Sequence, residues 1–83
     1  MFEKEFNKLS LLQRIEYVAM EADLITEIKH FSFRICLYTV DGFYIEAFYD
    51  LNTNYLTDVA ILDADDPRMN LYANTVDISE LLK

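Results

Sequence analysis

Tyr44, Glu46 and Phe48 follow one another at spacings of two in a stretch dense in aromatic residues, and Arg34 and Tyr38 precede them. Carboxylates and phenols are the ingredients of general acid–base chemistry when a fold brings them together and tunes their pKa values. The same residues, with Tyr55, suit a recognition surface equally well. There a glutamate accepts a cationic group, and rings bury large area at small entropic cost. Arg34, Tyr38, Tyr44, Glu46, Phe48 and Tyr55 are therefore the candidate site. They are read as partner-binding rather than catalytic, because no nucleophile, base and orienting group accompany them in a recognisable pattern.

The remaining reactive side chains have local explanations. Asp63, Asp65 and Asp66 lack the glycine and uninterrupted loop of an EF-hand, and Pro67 cuts the segment short. Helix capping and dipole complementation account for Asp65 and Asp66 without an ion. His30 is the only histidine and has no neighbouring carboxylate to orient it. Cys36 sits mid-strand in an acidic stretch, which favours an inert thiol over an activated thiolate. With Gly42 as the one glycine, a phosphate-binding glycine loop is excluded. No metal and no cofactor are expected.

Charge narrows the partners. No lysine or arginine lies between Arg34 and Arg68, while Asp41, Glu46, Asp50, Asp58, Asp63, Asp65 and Asp66 all do, so most of the net charge of −8 sits in this stretch. Nucleic acid and anionic membrane are poor partners for such a chain, since both are bound by clustered cations; a basic protein suits it. A lone cysteine fits a reducing compartment, and MFEKEFNKLS lacks the apolar core of a secretory signal, so a cytoplasmic location is expected. No apolar run is long enough to cross a bilayer. Eighty-three residues with one glycine and one proline predict a single ordered domain over residues 1–83.

The elements that position these residues follow from periodicity. Ser10-Leu11-Leu12-Gln13 is a capping box, and Leu11, Ile15, Val18, Ala22 and Ile25 continue from it as one buried helical face, leaving Arg14, Glu16, Glu21 and Asp23 mostly to solvent. Phe2, Phe6 and Leu9 suggest an earlier turn of helix. From Phe31 the period becomes two, and a strand runs to the turn at Asp41-Gly42. A two-residue turn pairs Val40 with Phe43; a three-residue bulged turn pairs Thr39 with Phe43 and segregates aliphatic from aromatic residues more cleanly, which favours the bulge. In that register Arg34 and Glu46 are cross-strand neighbours suited to an ion pair. Tyr55 to Leu62 forms a third strand, which places Asp58 uncomfortably on the aliphatic face. Asp66-Pro67 starts a helix, and Asp77-Ile78-Ser79-Glu80 starts its second piece. The fold class is α+β, in the order α-β-β-β-α: a three-stranded antiparallel meander packed on an N-terminal helix and a short, broken C-terminal helix.

The strings LYTVDGFYIEAFYDLNTNYLTDVAILD, LY at Leu71-Tyr72 and DISELL near the end resemble a family of small bacterial proteins of about this chain's length, seen in Bacteroidetes. The similarity spans about residues 10 to 83 and is most specific at Leu37-Tyr38, at Phe43 with Glu46 and Tyr49, at Leu71-Tyr72, and in the acidic loop before the last helix. It implies the α-β-β-β-α order. No activity or catalytic residue is established for that family, so it implies no reaction.

Helices usually cover one face of an antiparallel sheet, so the second face, carrying Arg34, Tyr38, Tyr44, Glu46, Phe48 and Tyr55, is expected to be bare. That predicts a non-enzymatic module which forms a homodimer or binds a protein partner there. The alternative is an acidic inhibitor of a basic protein, of the immunity or nucleic-acid-mimic type. A small-ligand-binding protein or enzyme ranks third.

Overall fold

The computed structural model describes residues 1–73. In chain order it contains α1 (Glu3–Asn7), α2 (Leu11–Glu21), β1 (Asp23–His30), β2 (Phe33–Val40), β3 (Phe43–Asp50), β4 (Leu56–Leu62) and α3 (Met69–Ala73). The class is α+β, with helices at the N-terminus, a short helix near the other end, and an antiparallel sheet of order β1-β2-β3-β4 between them. The expected last turn at Asp77-Ile78-Ser79-Glu80 lies outside the described residues.

The sheet has four strands where three are expected. The capping box does start α2: the Gln13 N–H donates to the Ser10 hydroxyl, and the Ser10 N–H donates to the Gln13 side chain. But the helix ends at Glu21, and Ala22 is already extended (φ −92°, ψ 151°). Ile25 therefore belongs to β1 and not to the helical stripe. Ile25, Thr26 and Ile28 are β-branched, and their stiff χ1 favours a strand over continued helix.

Both hairpins at the ends of β2 are two-residue turns. Val40 pairs with Phe43, and Asp41 (φ 50°) and Gly42 (φ 85°) both take left-handed conformations, as a type I′ turn demands. The bulged register expected from side-chain segregation is thus corrected by one residue, and every assignment of face in β2 relative to β3 changes with it. A type I′ turn matches the strand twist, and Asp41-Gly42 is among the pairs that tolerate two positive φ values, so turn chemistry outweighs tidy segregation. A second irregularity falls between Phe48 and Tyr49, where Leu56 pairs with Tyr49 and Asp58 with Phe48. The extra residue, Thr57, puts Leu56 on one face and Ala60 and Leu62 on the other.

As a result neither face is purely aliphatic and both are packed. On one face Cys36, Val40, Phe43, Ile45, Ala47 and Val59 pack under α1 and α2 with Phe6 and Val18. Phe6 is wholly buried, its ring 6.0 Å from Phe43 and 6.1 Å from Tyr17. Full burial of such a ring stabilises the fold by about 3 kcal/mol, enough to hold a helix as short as α1 in place. On the other face Ile28, Ile35, Leu37 and Leu62 pack with Tyr72, Met69 and Leu71 of α3. The bare second face is therefore corrected: α3 lies on it.

Candidate functional site

The six predicted residues divide among three places. Arg34 and Tyr38 lie on the α2 face, Tyr44, Glu46 and Phe48 lie on the α3 face, and Tyr55 is in the β3–β4 loop, 74% exposed. The expected Arg34–Glu46 ion pair does not exist, because the two-residue turn puts the two side chains on opposite faces.

Glu46 is fully buried at the centre of β3. Arg68 Nη2 donates to one carboxylate oxygen (2.7 Å) and the Tyr72 hydroxyl donates to the other (2.6 Å). The Arg68 guanidinium also lies 5.8 Å from the Phe48 ring centroid. Burial first, and then the bond to Glu46, push the Tyr72 phenol far above its ordinary pKa, so Tyr72 stays a proton donor at any physiological pH. A charge in an apolar interior is tolerated only when paired and hydrogen-bonded, and both partners here come from α3 and the turn before it. The arrangement ties α3 to the sheet. Among the described residues the surface cavities include two of 420 Å³ beside the Gly42 turn and one of 100 Å³ between α2 and the sheet. Glu46 lines none of them.

Arg34 pairs instead with Glu27 of β1, Nη1 to Oε2 at 2.9 Å, and stacks 4.5 Å from the Tyr49 ring centroid. Its hydrogen bond holds the Glu27 carboxyl below the usual carboxylate range. Cys36 lies beside both groups, 3.8 Å from Arg34 Nη1 and 3.7 Å from Glu27 Oε2. Burial and the nearby Glu27 raise the thiol pKa against the opposing effect of Arg34, which keeps it protonated.

The acidic side chains are largely engaged locally. Asp50 Oδ1 accepts from the N–H groups of Asn52 and Thr53, Asp63 Oδ1 from Asp65, and Asp66 Oδ1 from Arg68. Among the described residues, no group of three or more His, Cys, Asp or Glu is placed to hold a metal ion, and no helix is long and apolar enough to cross a membrane.

The sheet has two edges, and they are treated differently. A two-residue hairpin closes on a hydrogen-bonded pair, after which backbone groups alternate between facing the partner strand and facing away. Counting from Val40–Phe43 through β3 to β4, the N–H and C=O of Val59 and Ile61 point outward. Those of Val59 are filled, while those of Ile61 have no partner among the described residues. The Asp58 carboxylate accepts from the Val59 N–H (2.8 Å), and Arg14 Nη1 donates to the Val59 carbonyl (2.8 Å). Arg14 is expected on the wet side of α2; it turns inward instead, and also donates to the carbonyls of Leu9 (3.2 Å) and Asn7 (3.1 Å). Asp58, which the expected register leaves on the aliphatic face, is exposed and serves as an edge cap.

On the other edge, counting from the His30–Phe33 pair, Thr26, Ile28 and His30 face β2, while the backbone groups of Glu27 and Lys29 face outward. Among the described residues nothing is hydrogen-bonded to them. Leu24 (58% exposed), Ile25 (37%) and Phe31 (88%) add apolar surface along the same edge. Sequence reasoning missed this edge because Ile25 fits a helical stripe; the alternation of Thr26 and Ile28 with Glu27 and Lys29 is the signal that identifies it.

No family model, curated protein or solved structure matches this chain.

Proposed function

We propose that this chain is a non-enzymatic, cytoplasmic association module that joins another protein chain, or a second copy of itself, through the outer edge of β1. The observation that carries the proposal is the asymmetry of the two edges. On β4 the outward backbone groups of Val59 are capped by Asp58 and Arg14 and only those of Ile61 lack a partner among the described residues, whereas on β1 those of Glu27 and Lys29 both lack one. An open edge is a template for strand addition, in which main-chain hydrogen bonds supply affinity and neighbouring side chains supply selectivity. The resemblance to small Bacteroidetes proteins is part of the proposal and brings no reaction with it.

Two observations weigh against the competing readings. An enzyme built on Glu46 lacks access to it, since among the described residues the carboxylate is enclosed and lines none of these cavities. An acidic inhibitor of a basic protein needs carboxylates free to meet cations, and oxygens of Asp50, Asp58, Asp63 and Asp66 are engaged by backbone N–H groups.

Amide hydrogen exchange tests the proposal. In dilute protein the Glu27 and Lys29 amides should exchange freely beside protected Thr26 and Ile28. Slow exchange at Glu27 and Lys29 in a dilute monomer would mean that the edge is already filled, and would sink the proposal.

A further inference from the structure

We infer that the occupant of the β1 edge is a second copy of this chain, paired antiparallel about a two-fold axis at Ile28, so that two four-stranded sheets join into one. The inference rests on the β1 edge being the docking element and commits to its partner and register.

With the axis at Ile28, residues equidistant from it face each other. Glu27 then lies opposite the second copy's Lys29, and Lys29 opposite the second copy's Glu27. These are the residues whose backbone groups point outward, so each pair exchanges two main-chain hydrogen bonds as a regular antiparallel ladder requires. Moving the axis to Glu27 sets two carboxylates directly against each other, and moving it to Lys29 sets two ammonium groups together; like charges in that position are destabilising. A lysine on an edge ordinarily discourages pairing. Here Glu27, two residues away, makes it a register key.

Lys29 also has a deficit that the second copy corrects. It faces Arg34 across β1 and β2, a like-charge pair, and Arg34 is the group bonded to Glu27. A carboxylate from the second copy would sit on the open side of Lys29.

The apolar surface follows the same symmetry. The regular ladder runs from Thr26 to His30; just past its ends the second copy's Phe31, in its turn, lies near the irregular Leu24–Ile25 segment, so the three exposed apolar side chains of this edge come close together. Charge does not oppose this approach. Residues 23–34 carry Asp23 and Glu27 against Lys29 and Arg34, a balance of zero, so the whole net charge of −8 resides elsewhere in the chain. Two acidic copies can therefore meet at this edge without bringing their net charge together. The contact is one short strand pair and two rings, well under the area of a standard interface, so the dimer is weak, with Kd on the order of 100 μM.

Sedimentation equilibrium over a concentration series, combined with amide exchange, tests the inference. The mass should rise toward that of a dimer while the Glu27 and Lys29 amides slow in step. Lys29→Glu should weaken association by about tenfold or more, and Glu27→Lys with Lys29→Glu together should recover it. Lys29→Pro removes an outward N–H that no intramolecular bond uses, so it should abolish the dimer and leave the fold intact by circular dichroism. A dimer that persists through Lys29→Pro and Lys29→Glu overturns the inference. A monomer throughout with open Glu27 and Lys29 amides also overturns it, but leaves β1 as a docking edge for a different chain. A monomer with those amides protected at every dilution overturns both.

Discussion

Arg68 holds Glu46 from outside: its side chain is 41% exposed, yet it donates at 2.7 Å to a carboxylate that is 0% exposed. The Tyr72 hydroxyl completes the clasp from α3. The described part of α3, Met69–Ala73, is too short for its helical hydrogen bonds alone to hold it in place, and these two bonds, with the packing of Met69 and Leu71, dock it.

Arg68→Met should destabilise the fold by about 2 kcal/mol, less than the 3–5 kcal/mol typical when a wholly buried pair is broken, because water already screens the exposed guanidinium. Tyr72→Phe should cost about 1–3 kcal/mol by removing a donor from a buried oxygen. If the clasp acts as one unit, Arg68→Met in a Glu46→Gln background should cost much less than alone, since no buried charge is then stranded. Urea unfolding of the four variants measures this; strict additivity would show that the residues act independently.

Removing the caps on β4 should expose a second edge. Arg14→Met leaves the Val59 carbonyl and those of Leu9 and Asn7 without their donor, for a loss of about 1–3 kcal/mol. It should also bring concentration-dependent aggregation that the native chain lacks, as an uncapped edge recruits strands indiscriminately. Light scattering checks the second effect. A variant that loses stability without aggregating would mean that Arg14 only fastens α2 and does not guard the edge.

How much of this was legible in the sequence depends on the range of the interactions involved. The capping box at Ser10 is local and present; Asp66 accepts from the Arg68 N–H as a capping residue does, but α3 starts at Met69, two residues after the expected Pro67. The register at Asp41-Gly42 was also locally encoded, in a residue pair that prefers a type I′ turn, but the neatness of the resulting faces argued the other way. Glu46 is legible in the sequence as a carboxylate among rings. Its partners are not, since Arg68 and Tyr72 are 22 and 26 residues away and reach it only once α3 has folded over the sheet. β1 was hidden for a different reason: Ile25 satisfies a helical period and a strand alternation at once, and only the following β-branched residues decide between them.

Tyr17 gives a prediction in alkaline solution. Burial, and then the hydrogen bond that its hydroxyl donates to Asp41, push its pKa from the ordinary 10.0 up to about 12. The neutral phenol is the form the fold favours, so this contribution to stability is complete below pH 10 and is lost as the pH rises from there through about 12. The difference in tyrosinate absorbance between the native chain and Tyr17→Phe should titrate near 12, and lower in an Asp41→Asn background, though still above 10.0 because burial, the larger cause, remains. A native difference curve centred at 10 would contradict the contact.

Phe31 sets stability against association. Its φ of 56° is a left-handed conformation that a bulky side chain enters at a cost of about 1–2 kcal/mol, and its ring is 88% exposed, so the monomer recovers little of that cost. Asparagine accepts the same backbone readily. Phe31→Asn should therefore stabilise the monomer by about 1 kcal/mol against urea while weakening self-association, because the ring that lies near Ile25 and Leu24 of the second copy is gone. Gly42→Ala is the control in the other turn: a Cβ there meets nothing within 4 Å, so it should cost only the backbone strain of φ 85°, about 1 kcal/mol, and leave association unchanged. If Phe31→Asn gained stability with self-association intact, the ring would have no part in the interface. If it lost stability, the turn would depend on packing by Phe31, most directly against His30, whose ring lies 4.3 Å away.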